Sequence, residues 1–144
     1  MKLLAKMFAL VTDKFQNRTD KQGLPYILHC IYVMQHCGLT DEVSLCIALG
    51  HDLIEDTDVT TYYLQEHFGL EIALGIFALT NVGFDSYDEY IKSVAHSVMV
   101  EKLVKIKLAD LQHNTQVSRL KGLAKADFDR IEKYHRAYTY LSKL

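Results

Sequence analysis

Ala48-Leu49-Gly50-His51-Asp52-Leu53-Ile54-Glu55-Asp56-Thr57 is the stretch that decides how the rest of the chain is read. Upstream of it, residues 43–49 are apolar on almost every side, the mark of a helix buried all round. Such a helix belongs at the centre of a domain. It runs directly into a histidine, three carboxylates and a threonine. An ionised carboxylate beside a buried segment is costly unless it is paired, and His with Asp supplies the nitrogen and oxygen donors that a divalent metal accepts. Neighbouring helical residues point about 100° apart, so His51 and Asp52 reach one ion only if other elements complete the shell. Taken alone, the doublet reads as a helix end with its polar residues facing water.

Outward from this centre the chain reads as helix after helix. Residues 2–15 carry an amphipathic pattern and end in the polar, turn-forming segment 16–23. Pro25 opens a second helix at a position where its missing N–H costs nothing. Residues 26–37 are apolar almost all round, except for His29 and Gln35-His36, and Gly38 closes the helix. Thr40 is the expected cap of the central helix. Asp58 or Thr60 then caps a helix that stops at Phe68-Gly69, residues 70–79 form another apolar segment, and 81–86 form a loop. Helices over 87–99, 101–119 and 126–141 follow, the last with Ile131, Tyr134, Tyr138 and Leu141 at helical spacing; Tyr134 and Tyr138 read as core, with stacking on a base as the alternative. No segment alternates with period two. The expected fold class is therefore all-α, a compact bundle of about seven or eight helices with connections short enough only for packed neighbours.

Composition narrows the function. A chain of 144 residues, 49% apolar, with one proline and seven glycines, reads as a single domain over residues 1–144 that buries a core without staples. Net charge is −2 and no basic stripe recurs along a helix, which argues against a duplex nucleic-acid partner and leaves small anionic ligands open. Lys6 interrupts the apolar N-terminal run and no small-residue cleavage site follows it. No apolar stretch is long enough to cross a bilayer, so no membrane partner is expected. Cys30, Cys37 and Cys46 are an odd set in apolar surroundings, as expected for reduced core thiols in a cytoplasmic protein. Nothing in the pattern fixes an oligomeric state.

Polar residues interrupt the apolar faces at a few places. Over 101–119, Leu103, Ile106, Asp110, His113 and Val117 share one face, with Asn114 at its edge. A hydrogen-bonded network fixing helix register is one account of this cluster. Carboxylates are seldom buried without a strong partner, which favours a site. His29 is the same kind of exception in the second helix. Together His29, His51, Asp52 and Asp110 make two histidines and two aspartates on three buried helices. Such a nitrogen and oxygen shell, with room for water, suits Mn²⁺ or Fe²⁺ and leaves room for Zn²⁺.

The order His29, His51-Asp52, Asp110 resembles the H…HD…D pattern of the HD-domain metal-dependent phosphohydrolases, an all-α family. Within it the likeness is to the hydrolase domain of the stringent-response (p)ppGpp enzymes and their small stand-alone relatives. Gly23-Leu24-Pro25-Tyr26-Ile27-Leu28-His29 resembles their G-x-P-Y-I-x-H segment, and His51 to Thr57 resembles their H-D-x-x-E-D-T. Lys107-Leu108-Ala109-Asp110 with His113-Asn114 resembles their K-L-A-D-x-x-H-N. Phe68-Gly69 and Leu79-Thr80 fall at their F-G and V-T landmarks. The resemblance implies one divalent metal, typically Mn²⁺, on His29, His51, Asp52 and Asp110, with Glu55 and Asp56 as catalytic carboxylates and Asn114 contacting the nucleotide. The chain departs from the group at Cys30, where proline is usual, at Leu111-Gln112, which replaces Arg-Leu, and in a basic loop reduced to Arg18 and Lys21.

The chemistry expected from these residues is phosphate-ester hydrolysis. A cation polarises a phosphoryl oxygen and acidifies water, while Glu55 and Asp56, just past two ligands, can orient that water or pass a proton to the leaving oxygen. Arg18, Lys21 and Lys107 are the candidates to pair with phosphates; Lys102 and Lys105 read as solvated. The leading expectation is removal of the 3′-pyrophosphate of a (p)ppGpp-like nucleotide, and with no synthetase segment in the sequence the chain would only degrade it. A phosphatase for another nucleotide, such as a nucleoside monophosphate or an NADPH-like dinucleotide, and a catalytically silent nucleotide sensor are the alternatives.

Overall fold

Asp41, rather than Thr40, opens the central helix: its backbone is extended and its carboxylate accepts from Ser44 N at 3.0 Å. The carboxylate does what a threonine hydroxyl would do and adds a negative charge at the positive end of the helix. In the computed structural model, which describes residues 1–144, the chain forms α1 (Lys2–Lys14), α2 (Ile27–His36), α3 (Glu42–Gly50), α4 (Leu53–Asp56), α5 (Thr61–Phe68), α6 (Leu70–Ala78), α7 (Tyr87–Ala95), α8 (Val100–Asn114) and α9 (Lys125–Leu141). A 3-10 turn spans Val117–Arg119. The fold is all-α as expected, and the single β-type contact is an isolated bridge between Thr19 and Pro25.

That bridge explains why α2 starts later than proline chemistry suggests. The segment before it folds back on itself, with Asp20 N donating to Leu24 O (2.8 Å) and Tyr26 N to Arg18 O (2.9 Å). Asp20 Oδ1 accepts from Gln22 N and Leu24 N, and Gly23 takes φ +83° at the tip. Pro25 is thus held extended in this turn, and the helix begins at Ile27. Two C-terminal boundaries also differ from the periodicity. Helix α7 stops at Ala95, and Ser97 Oγ accepts from Met99 N in the turn before α8. Helix α8 ends at Asn114 because Thr115 Oγ1 bonds back to Leu111 O at 2.9 Å and Gln116 leaves the helical region. Such local side-chain bonds compete with helix continuation without disturbing the apolar pattern.

The apolar run at α3 becomes the axis of the core, with Cys46, Ile47, Ala48, Leu49 and Gly50 all buried. It packs against α1, α2 and α6, while α2 lies on α8, and α8 carries α7 and α9. Gly75 makes the α3–α6 crossing possible: a Cβ there would run into the Ile47 side chain. Gly69, at φ +92°, lets α5 end and α6 begin with no linker. All three cysteines are free and buried. No helix is long and apolar enough to cross a membrane.

Candidate metal centre and its pocket

Three donors, on His29, His51 and Asp52, come together at one point, and Asp110, outside that group, faces both imidazoles. His29 sits on α2, His51 at the C-cap of α3, Asp52 in the break before α4, and Asp110 on α8. Asp52 takes φ −98°, ψ 0°, the sparsely populated bridge region that lets the chain turn between two helices. His29 Nε2 lies 3.2 Å from Asp110 Oδ1 and 3.6 Å from Asp52 Oδ2. His51 Nε2 lies 3.0 Å from Asp52 Oδ2 and 3.7 Å from Asp110 Oδ1. Donor atoms of His29, His51 and Asp52 all fall within 4.8 Å of one another, a group that can hold a metal ion. Donors about 2.1 Å from one ion stand roughly 3 to 3.5 Å apart at octahedral and tetrahedral angles. Both Nε2 atoms are buried and without a hydrogen-bond partner. Ring nitrogens withdrawn from water and aimed at two carboxylates need a shared cation or proton to be satisfied.

A surrounding layer fixes each donor. His51 Nδ1 pairs with Ala48 O at 2.8 Å, which puts its proton on Nδ1 and leaves Nε2 for the centre. His29 Nδ1 faces His113 Nδ1 at 2.7 Å. Tyr26 Oη donates to Asp52 Oδ2, and Asp110 is held on both oxygens, by Lys107 Nζ on Oδ2 and Asn114 Nδ2 on Oδ1, each at 2.7 Å. Burial works against ionising Asp110, but Lys107 and the two imidazoles hold its carboxyl well below the usual range. Asp52, despite burial, is held down to about 2, chiefly by His51. Burial likewise opposes charge on His51, yet Asp52 and Asp110 raise it well above an ordinary histidine. His113 goes the other way, lowered to about 4 by burial and by the neighbouring His29 and Arg119.

Above the four donors opens a cavity of about 420 Å³. Glu55 and Asp56 line it, presented by the one-turn helix α4, which Thr57 closes by donating Oγ1 to Leu53 O and accepting from Val59 N. Burial and the charge of Asp52 push Glu55 up to about 7. Asp56 is raised by the same two causes and opposed by Arg18, whose Nη1 lies 3.1 Å from its Oδ1. Arg18, Lys21, Lys107 and Asn114 all line the cavity. Lys107 and Asn114, however, already bond to Asp110, so their first task is to hold a donor.

Sequence reasoning passed over the far wall. Arg130, Lys133 and Tyr134 from α9, Arg119 from the 3-10 turn, and Tyr87 from α7 complete the lining. Tyr134, read as core with stacking on a base as the alternative, packs against the core and also lines the cavity. Lys21 and Lys133 have no acidic partner, and Arg130 Nη2 is buried with none. Lys133 lies over the rings of Tyr87 and Tyr134, at 4.7 and 5.2 Å. The available signal was the i, i+3, i+4 spacing of Arg130, Lys133 and Tyr134, a basic and aromatic face inside a helix taken for packing. His36, His67, His96 and His135 are exposed and outside the site, and Lys102 pairs with Glu71 and Asp41 on the surface.

No protein-family model matches the chain. It is 35% identical over 120 residues to the mouse guanosine-3′,5′-bis(diphosphate) 3′-pyrophosphohydrolase MESH1, a match covering 78% of this chain and 66% of that protein, and the human MESH1 protein matches to the same extent. The bifunctional (p)ppGpp synthase/hydrolase SpoT of Escherichia coli is 31% identical over 126 residues, which is 79% of this chain and 18% of SpoT. The chain thus spans just under two thirds of the length of the MESH1 relatives. Among solved structures, a metazoan orthologue of SpoT that hydrolyses ppGpp superposes with a TM-score of 0.82 at 23% identity, covering 98% of this chain and 85% of the other. That likeness shows a shared fold.

Proposed function

We propose that the chain is a member of the HD-domain (p)ppGpp hydrolases that it resembles and, on that premise, a metal-dependent guanosine-3′,5′-bis(diphosphate) 3′-pyrophosphohydrolase acting as one domain over residues 1–144. The observation that carries the reading is the pair of unpartnered Nε2 atoms facing two carboxylates, set beneath a cavity that is basic on its far wall. His29, His51, Asp52 and Asp110 hold one divalent ion, Mn²⁺ by the mixed nitrogen and oxygen set. When bound, the ion supplies Lewis-acid activation of a phosphoryl oxygen and of water.

The protein's own groups do the remainder. Two neighbouring carboxyls with different environments divide acid and base roles. Glu55, pushed up to about 7, holds the proton that passes to the 3′ oxygen as it leaves. Asp56, beside Arg18, is the ionised member that accepts a proton from the attacking water. Lys21, Lys133 and the inner nitrogen of Arg130 have charge to spend on the substrate's phosphates, and a ligand with diphosphates at two positions uses more of that wall than a monophosphate does. Tyr134 and Tyr87 offer ring faces to the base or ribose. The buried, unpaired thiols suit a reducing cytoplasmic compartment.

The test is turnover of a nucleotide panel by metal-stripped protein reloaded with Mn²⁺. Pyrophosphate from guanosine 3′,5′-bis(diphosphate), lost in Glu55→Gln and in Asp56→Asn, is the expected result. Orthophosphate from a nucleoside monophosphate or a phosphorylated dinucleotide would make the chain a phosphatase of other nucleotides. Binding with no product would make it a sensor.

A further inference from the structure

We propose that His113 sets the tautomer of His29, accepting the proton of His29 Nδ1 on its own Nδ1 and so leaving the His29 Nε2 lone pair free for the metal. The proposal rests on the metal centre inferred above and makes His113 a positioning residue that governs cation affinity. Neither the sequence motifs nor the hydrolytic reading gives this side chain a task.

The two Nδ1 atoms are 2.7 Å apart, and the rings are 20° from parallel with centres 4.9 Å apart. That separation is the N···N distance plus one ring radius from each side. The imidazoles therefore meet edge to edge, nearly in one plane, as a linear N–H···N bond requires. One proton occupies the line between them, and its owner decides the chemistry of the centre. If His113 owns it, His29 accepts on Nδ1 and carries its proton on Nε2, directed at Asp110 Oδ1 and Asp52 Oδ2; such a ring cannot ligate. If His29 owns it, Nε2 is a bare donor.

His113 is fixed where it can serve. Its ring lies face to face with Tyr32 at 4.0 Å, and the Tyr32 hydroxyl accepts from Gln116 Nε2 at 3.1 Å. Its own carbonyl accepts from Arg119 Nη1 at 2.7 Å. The contrast with His51 is instructive, because that ring donates to a backbone carbonyl, which can only accept, and its tautomer survives any side-chain change. His29 has no such guarantee. Its acceptor is another imidazole, so one substitution on α8 reaches the first ligand on α2.

The experiment uses the full chain, metal-stripped, with Mn²⁺ alone as the probe and free ion followed by electron paramagnetic resonance. His113→Phe keeps a ring against Tyr32 but offers no acceptor; its Mn²⁺ dissociation constant should rise about 10- to 100-fold. His113→Gln returns an acceptor oxygen and should recover most of that loss. Melting of both variants in EDTA should match the parent, which separates affinity from folding. Wild-type affinity in a folded His113→Phe overturns the proposal. Should that variant not fold, the unaltered protein loaded with Zn²⁺ still decides: long-range ¹H–¹⁵N spectra should show the His29 proton on Nδ1 and a bare His113 Nδ1, and a proton on His113 Nδ1 overturns it. A protein that binds and tunes metal in this way yet releases no pyrophosphate would sink the hydrolase reading alone. No Mn²⁺ binding by the parent would sink both.

Discussion

Arg119 and Asp20 lie 99 residues apart in sequence and form the part-buried ion pair that ties the Arg18 and Lys21 loop to the 3-10 turn after α8. Arg119 Nη2 donates to Asp20 Oδ2 at 2.9 Å, its Nη1 to His113 O at 2.7 Å, and the two side chains are only 13% and 6% exposed. Replacing Arg119 by Met removes one partner and leaves the carboxylate buried. That change costs about 3 to 5 kcal/mol for a lone buried pair. The pair is only part-buried and Asp20 Oδ1 keeps two backbone donors, Gln22 N and Leu24 N, so the expected cost lies below that range, about 2 kcal/mol. With an unfolding entropy of about 2.1 cal/mol/K per residue, the melting temperature of this chain should fall by about 7 °C. The loss should also depend on pH. Burial pushes the Asp20 carboxyl up, but the Leu24 N–H, Arg119 and the Gln22 N–H outweigh it and hold the group below its ordinary 3.8. A lowered folded pKa means stabilisation that is fully present above the unfolded value and lost as pH falls through the folded one. Urea titrations of parent, Arg119→Met, Asp20→Asn and the double variant should therefore give a coupling of about 1.5 to 3 kcal/mol at pH 7. That coupling should shrink below pH 3.8. A coupling under about 0.5 kcal/mol, or one unchanged between pH 7 and pH 3, would refute the ion-pair account.

Three further outcomes follow from the same geometry. Metal removal by EDTA should lower the melting temperature, and Mn²⁺ at 100 times its dissociation constant should restore about 2.7 kcal/mol of stability by scanning calorimetry; a thermogram indifferent to Mn²⁺ would exclude a cation at the four donors. Tyr26→Phe deletes the hydroxyl that bonds Asp52 Oδ2 and should weaken Mn²⁺ binding about 10-fold or more, measured in the absence of nucleotide, with parental affinity counting against a role for that hydroxyl. Gly75→Ala places a methyl against Ile47 and should destabilise the protein by about 1 to 3 kcal/mol in chemical denaturation, whereas a neutral result would mean that α3 and α6 can move apart freely.

Much of this molecule is legible in one dimension, for a reason visible at particular residues. Hydrophobic period sets which face of a helix is buried, so α3 announces itself as the axis. A charged or ionisable side chain inside such a face is an exception that something must compensate. His29, His51, Asp52 and Asp110 are noticed on those grounds, with Glu55 and Asp56 next to them. Cap and stop positions are less secure, because the choice between Thr40 and Asp41, or the halt of α8 at Asn114, rests on single side-chain hydrogen bonds that leave the periodicity unchanged.

Periodicity names a face but not the face opposite it. Only packing decides that His113 meets His29 across 84 residues, that Arg119 closes on Asp20, and that Lys107 and Asn114 spend hydrogen bonds on Asp110 instead of standing free. The same holds for α9. Its Arg130, Lys133 and Tyr134 look like a helix surface in sequence and become a cavity wall only when α9 lies against α8. Sequence alone determined the helices, the buried stripes and the polar residues that break them, because those are properties of neighbours along the chain. Distances between donors, and which cations remain unpaired above them, belong to the tertiary structure, because long side chains take their direction from whatever the fold packs against them.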